Sequence, residues 1–227
     1  MPVDPAAPIE VTAYRWVPDM ARGFVKDMRV RWALEEIGVP YRVRLVGGAG
    51  GEKSAEHLAD QPFGQVPVLR EHGLTLFESG AILIHLGGKD ERLLPRDPAA
   101  RMRAIGWMFA ALNSIEPFLQ SLLLVRFGGD GKDWQQPAMA GVRPFAEKRL
   151  QQLSDVLANQ EWLEDRFTIG DLVMADVLRA APEDQLIAAH PNLAAYVQRA
   201  TSRPAFQAAL AAQLADFDPD PVLAKQE

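Results

Sequence analysis

No cysteine occurs among the 227 residues. That absence excludes disulfides, thiolate metal sites and a cysteine nucleophile of the protein's own. Any thiol chemistry must use a thiol carried by a ligand, and redox chemistry through a protein dithiol is closed. There is no basic run either, and the formal net charge is −6, so no nucleic-acid partner is expected. No uninterrupted apolar run approaches the roughly 18 residues of a membrane span, so no membrane partner is expected. Residues 1–8 lack the basic and apolar segments of a secretory signal. The four histidines, His57, His72, His85 and His190, stand apart with no pair at i, i+4, so no metal is expected. Gly47–Gly51 is not followed by Lys-Ser/Thr in P-loop spacing and reads as a surface loop. What remains is a globular protein, expected to be cytoplasmic. Its 48% apolar content can fill one large or two small cores.

What is present reads in two halves. Ile9–Trp16 alternates as a strand, with Ile9, Val11 and Ala13 on one face. Val17–Gly23 reads as a loop, broken by Pro18 and Gly23. A helix to Ile37 carries the stripe Val30, Ala33, Leu34, Ile37, with Gly38 and Pro40 ending it. Tyr41–Val46 alternates again, so strand–helix–strand predicts a parallel βαβ unit. Glu52–Ala59 allows one or two helical turns. Val66–Arg70 and Leu74–Phe77 are short strands joined at hairpin length. Ser79 is expected to cap a helix to about Leu86. The proline after Val66 and the Glu78-Ser79 pair are odd for a plain strand pair. They suit a segment that holds a small anionic peptide by its backbone. Lys89–Ala100, with Pro95 and Pro98, has the composition of a linker.

Every periodic segment beyond is helical. Arg101–Val125 carries Ile105, Met108, Phe109 and Leu112, and Pro117 should kink or break it. Phe127–Gly141 reads as irregular, and Pro144–Asn159 as an amphipathic helix. Thr168 with Asp171 forms a capping box, flanked by Phe167 and Leu172 as a hydrophobic staple. That helix should stop at Pro182. Two further helices follow, one striped by Leu193, Tyr196, Val197 and Ala200, the other opened by Pro204. The tail after Asp216 is polar. The expected domains are 8–88, a linker at 89–100, and an all-helical 101–227. Clefts between two such domains are common ligand sites.

FGQVPVL (63–69) followed by LFESGAIL (76–83) resembles the glutathione transferase family, closest to its phi-like and bacterial branches. RWALEE (31–36), GEKSAEHL (51–58) and FTIGDLVMAD (167–176) are similar to further family segments. The resemblance spans about Ile9 to Leu210. It implies an α/β thioredoxin-like N-terminal domain plus an all-α C-terminal helical domain, in a homodimer. It also implies that Pro67 is cis, turning the N–H and C=O of Val66 outward to an extended peptide. Without the resemblance, an edge-strand proline in trans would explain the same residue. As glutathione-binding residues it implies Lys53, Gln65, Val66, Glu78 and Ser79. Ser79 and the first free amides of its helix would grip a carboxylate, and Glu78 would receive an ammonium. Lys53 would meet the glycyl carboxylate, with Gln65 near the same end. A simple N-cap for Ser79 and a solvated surface lysine for Lys53 are the plainer alternatives.

One part departs from the family. A hydroxyl or thiol there usually serves the glutathione sulfur, and its slot falls on Phe24. No Ser, Thr, Cys or Tyr lies between Val17 and Arg31. A free thiol is mostly protonated at neutral pH. Lowering its pKa by about two units takes roughly 3 kcal/mol of thiolate stabilisation. Arg22 is the catalytic candidate, with backbone amides near Gly23-Phe24 assisting and Tyr14 as a further possibility. The implied activity is a glutathione transferase that directs the thiolate to a small apolar electrophile or a peroxide. Glutathione is the cosubstrate, with no metal. The alternative is a non-catalytic or weakly catalytic glutathione-binding or structural member of the same fold. The helix at Ser79 and the helix 101–124 are the expected dimer surfaces.

Overall fold

Alternation makes the first two strands, β1 (Ile9–Trp16) and β2 (Tyr41–Gly48). They pair in parallel, Val11 opposite Val43. The crossover is α1 (Asp27–Ile37), whose stripe Val30, Ala33, Leu34 and Ile37 is buried. Gly38 ends it in the left-handed region, φ 67°, where glycine has no steric penalty. These statements come from a computed structural model that describes residues 2–181 and 184–217. Pro182 and the tail from residue 218 lie outside them.

After α2 (Ala55–Asp60), β3 (Val68–Glu71) and β4 (Leu74–Phe77) form an antiparallel hairpin. Its two-residue turn has His72 at φ 47° and Gly73 at φ 82°, the geometry that matches strand twist. The sheet order is β2-β1-β3-β4, with β3 antiparallel to β1. β3 begins two residues later than its sequence pattern suggests. Pro67 has no N–H for the ladder, and the Val68 amide donates to Thr12 Oγ1 at 2.7 Å instead of to a strand carbonyl. The Val66–Pro67 bond is cis. One face of β1 feeds the core through Ile9, Val11 and Ala13. On the other, Glu10 meets Arg42, Arg44 and Arg70, and Glu56 and Asp60 of α2 also bind Arg44 and Arg70. The next helix, α3, is Ser79–Gly87.

The remaining elements are helical. α4 (Pro98–Ala110) runs through a π turn, Ala111–Ile115, into α5 (Glu116–Gly128). Pro117 follows that turn. A proline clashes with the carbonyl four residues back, and a π turn rearranges the bonds it disrupts. The run Pro98–Gly128 is long and apolar enough, by length and composition, to cross a membrane (mean hydropathy 1.4 over its most apolar window). Scattered polar residues hide this from a search for uninterrupted runs. Its buried line Ala104, Met108, Ala111, Ile115, Leu119, Leu122 packs on α6 and α7, and 33% of that window is buried. α6 (Gln135–Val156) begins nine residues before the expected Pro144. Proline inside a helix costs about 3 kcal/mol, but Met139, Ala146, Leu150 and Leu153 are buried along one side. So 127–141 is mostly helix rather than irregular loop. α7 (Ile169–Arg179), α8 (Asp184–Ala188), α9 (Pro191–Thr201) and α10 (Pro204–Ala215) complete the chain.

The capping box is complete. Thr168 Oγ1 accepts from Gly170 N, and Asp171 Oδ2 accepts from Thr168 N at 2.9 Å. Asp171 also accepts from Leu163 N and the Tyr196 hydroxyl.

The described chain divides into two compact units: residues up to Leu93 with those from Arg203, and Leu94–Ser202. The first break falls in the expected linker. The last helix corrects the expected boundary: α10 packs on α1, not on its sequence neighbours. Phe206 meets Trp32 edge to face, 4.8 Å between ring centres, and Arg203 clasps Glu36 with two bonds of 2.6 and 2.8 Å.

Candidate functional site

In the first unit the chain leaves α2, crosses Gln61–Val66 and enters β3. Val66 is 7% exposed, while the Gln65 side chain faces solvent. Its carbonyl oxygen lies 3.0 Å from His57 Nε2. The loop is braced from within: Gly64 N donates to Gln61 O, and Phe63 N to Gln61 Oε1. Tyr14 reaches in from β1 and donates to Gly64 O at 3.3 Å. Burial pushes its phenol pKa up, and the nearby Asp27 carboxylate adds to this, so Tyr14 stays a neutral donor. Lys53 lies against the same place. Its Nζ donates to Gly48 O and Gly51 O at 2.6 and 3.0 Å, and sits 5.2 Å from the Tyr14 ring centre.

Across the hairpin, Glu78 stands at φ 68°. A non-glycine residue there is strained by about 1–3 kcal/mol. Its side chain is exposed. The expectation that Ser79 is the N-cap needs correcting. Glu78 holds that position, without a side-chain cap bond, and Ser79 is the first helical residue. The reason is that the chain turns at Glu78, so Ser79 already has helical geometry. Its buried hydroxyl accepts from Arg29 Nη1 of α1 at 3.5 Å. The start of α3 therefore combines unpaired helix amides with a guanidinium from α1.

Arg22 has partners within its own unit. Its Nε lies 3.2 Å from Asp19 Oδ1, and its guanidinium 5.7 Å from the Phe217 ring centre. Phe24 is 45% exposed, and its amide donates to Ala21 O. That amide is thus committed within the loop, which corrects the expected contribution of Phe24 N–H.

What sequence reasoning missed is the polar side of α1. Asp27, Arg29 and Arg31 are all buried: Asp27 and Arg31 share the face that α10 covers, while Arg29 turns the other way, toward Ser79 of α3. Arg31 joins Asp27 at 2.7 Å and Asp216 at 2.5 Å. Gln213 of α10 donates to Val25 O at 3.1 Å and Asp27 Oδ1 at 2.7 Å. Leu210 Cδ1 lies 3.0 Å from where a Cβ on Gly23 would stand. α10 thus holds the Arg22–Asp27 loop from behind. The i, i+4 spacing of Asp27 and Arg31 was the only signal, and surface pairs share it. Burial pushes the Asp27 pKa up, though Arg31 pulls the other way.

Two surface concavities lie in the second unit, one beside Arg103, Trp162 and Glu164, the other beside Arg143, Glu147 and His190. Neither is lined by Arg22, Lys53, Gln65, Val66, Glu78 or Ser79. Among the described residues, no group of three His, Asp or Glu is placed to hold a metal ion.

Residues 19–88 match the glutathione S-transferase N-terminal domain, and 122–204 its C-terminal domain. The chain is similar to glutathione S-transferase GstA of Escherichia coli O157:H7, 33% identical over 168 residues, covering 71% of this chain and 80% of the relative. It is also similar to the disulfide-bond oxidoreductase YfcG of E. coli K12, 29% identical over 202 residues, covering 81% and 89%. Among solved structures, a glutathione transferase of Burkholderia graminis superposes with a TM-score of 0.74 at 25% identity, covering 91% and 90%. That structure holds two glutathione molecules per subunit.

Proposed function

Because the chain belongs to the glutathione S-transferase family, we propose that it binds reduced glutathione in its first unit and transfers the thiolate to a small apolar electrophile or a peroxide. The observation that carries this is the start of α3. A helix N-terminus, the buried Ser79 hydroxyl and the Arg29 guanidinium together favour a carboxylate. There the γ-glutamyl carboxylate binds, with Glu78 receiving its ammonium. The backbone of Val66 pairs with the cysteinyl unit. Lys53 trades its carbonyl partners for the glycyl carboxylate, and Gln65 lies at that end.

The chain's own contribution to the sulfur is Arg22. A guanidinium near a thiol lowers its pKa by favouring the charged form. The Phe217 ring and Asp19 hold this side chain in a fixed place. The decisive measurement is the pKa of the bound thiol, read from thiolate absorbance. A value about two units below that of free glutathione is expected, rising toward it in Arg22→Ala. An unshifted thiol in the wild type would sink the role of Arg22. The alternative of a non-catalytic binding member predicts retention on immobilised glutathione with no conjugation of an aryl halide. Kinship with named transferases argues against it. We place the enzyme in the cytoplasm as a homodimer, with the exposed apolar residues Met102, Phe109 and Leu124 as the part of helix 101–124 available for subunit contact.

A further inference from the structure

We propose that His57 is a positioning residue for glutathione, aiming the Val66 N–H at the ligand by holding the carbonyl of Gln65. The inference rests on the reading that Val66 pairs with the cysteinyl backbone. His57 is fully buried in α2, with Nε2 3.0 Å from Gln65 O. A carbonyl can only accept, so Nε2 carries the proton. The Gln65–Val66 peptide is trans, since the cis bond recorded is the next one. In a planar trans peptide the C=O and the N–H point in opposite directions. Drawing the Gln65 carbonyl toward α2 therefore turns the Val66 N–H away from it. The rest of the loop cannot do this alone, because its braces end at Gly64.

Two further observations set His57 apart from a packed core histidine. Its other nitrogen, Nδ1, is buried without a hydrogen-bond partner. A phenylalanine or leucine would fill that space with no such loss. Burial also lowers the imidazole pKa, helped by Arg44 of β2 and Lys53, against the Gln65 bond and Asp60. The ring is thus neutral at neutral pH, with one proton to give.

The test is a series at one position, read by calorimetric titration with reduced glutathione and by steady-state kinetics. His57→Gln keeps a donor at the Nε2 position. His57→Asn places its amide short of Gln65, and His57→Phe keeps the ring without a donor. The glutathione Kd and KM are expected to rise about tenfold in the Asn and Phe variants, as loss of one hydrogen bond allows. They should stay within about threefold of wild type in Gln, with kcat little changed throughout. In the ligand-free proteins, the Val66 amide resonance should move in Asn and Phe but not in Gln. Equal losses in all three variants, or none in any, would overturn the inference while leaving the binding site itself intact. A wild type that does not bind glutathione would overturn the binding site and this inference together. If Phe fails to fold, the Gln–Asn contrast decides.

Discussion

Replacing Arg31 with methionine isolates the buried charges of α1. Arg31 is completely inaccessible and Asp27 nearly so, while the Asp216 side chain is a quarter exposed. Burial pulls the Arg31 pKa down, but the two carboxylates outweigh it and hold it above its ordinary value. Removing one partner of a buried pair strands the other, at about 3–5 kcal/mol. The low end is expected, since Asp216 regains water and Gln213 still donates to Asp27. At roughly 2–4 °C per kcal/mol for a chain of this size, the first-unit melting temperature should fall by about ten degrees. The pH dependence gives the sharper check. Asp27 already has a raised pKa from burial, and without Arg31 it rises further. A group whose folded pKa is raised contributes stability below its unfolded value, and loses it as pH climbs through the folded value. The deficit of Arg31→Met should therefore shrink from pH 8 to pH 5, and adding Asp27→Asn should recover part of it. Thermal melts of both variants across that range supply the data. A deficit under about 1 kcal/mol, or one that widens on acidification, would refute the account of these charges.

Asp171→Ala removes an acceptor for Leu163 N, Thr168 N and the Tyr196 hydroxyl. It should cost about 3–5 kcal/mol in urea unfolding, against about 1 kcal/mol for Thr168→Ala. Gly23→Ala places a Cβ 3.0 Å from Leu210 at φ +83°, and should lower stability by about 1–3 kcal/mol in the same assay. Ser79→Ala should raise the glutathione Kd roughly tenfold by calorimetry. An unchanged Kd would move the carboxylate away from α3.

Local patterns spoke for themselves along much of the chain. Alternation in Ile9–Trp16, the stripe ending at Gly38 and the Thr168–Asp171 box each concern residues within a few positions, so propensity and periodicity report them directly. The hairpin turn at His72-Gly73 is legible for the same reason. For the candidate site, the punctuation at Pro67 and Glu78-Ser79 marked the segment, and the resemblance nominated Lys53, Gln65, Val66, Glu78 and Ser79 within it. Arg29 beside Ser79 was not legible, since 50 residues separate them and an arginine on a helix usually faces water.

From sequence alone came the order of elements, the two-part composition, the need for a ligand-borne thiol and the missing hydroxyl near Phe24. Tertiary structure alone decided that the polar side of α1 is buried as well. It brought α10 back to the first unit and closed Asp27, Arg31, Gln213 and Asp216 into one network. It also set the Gln65 carbonyl against His57. The physical reason is range. Periodicity says that a face is apolar or polar, but a buried charge is tolerable only when its partner arrives from elsewhere in the chain, and no local pattern records that arrival.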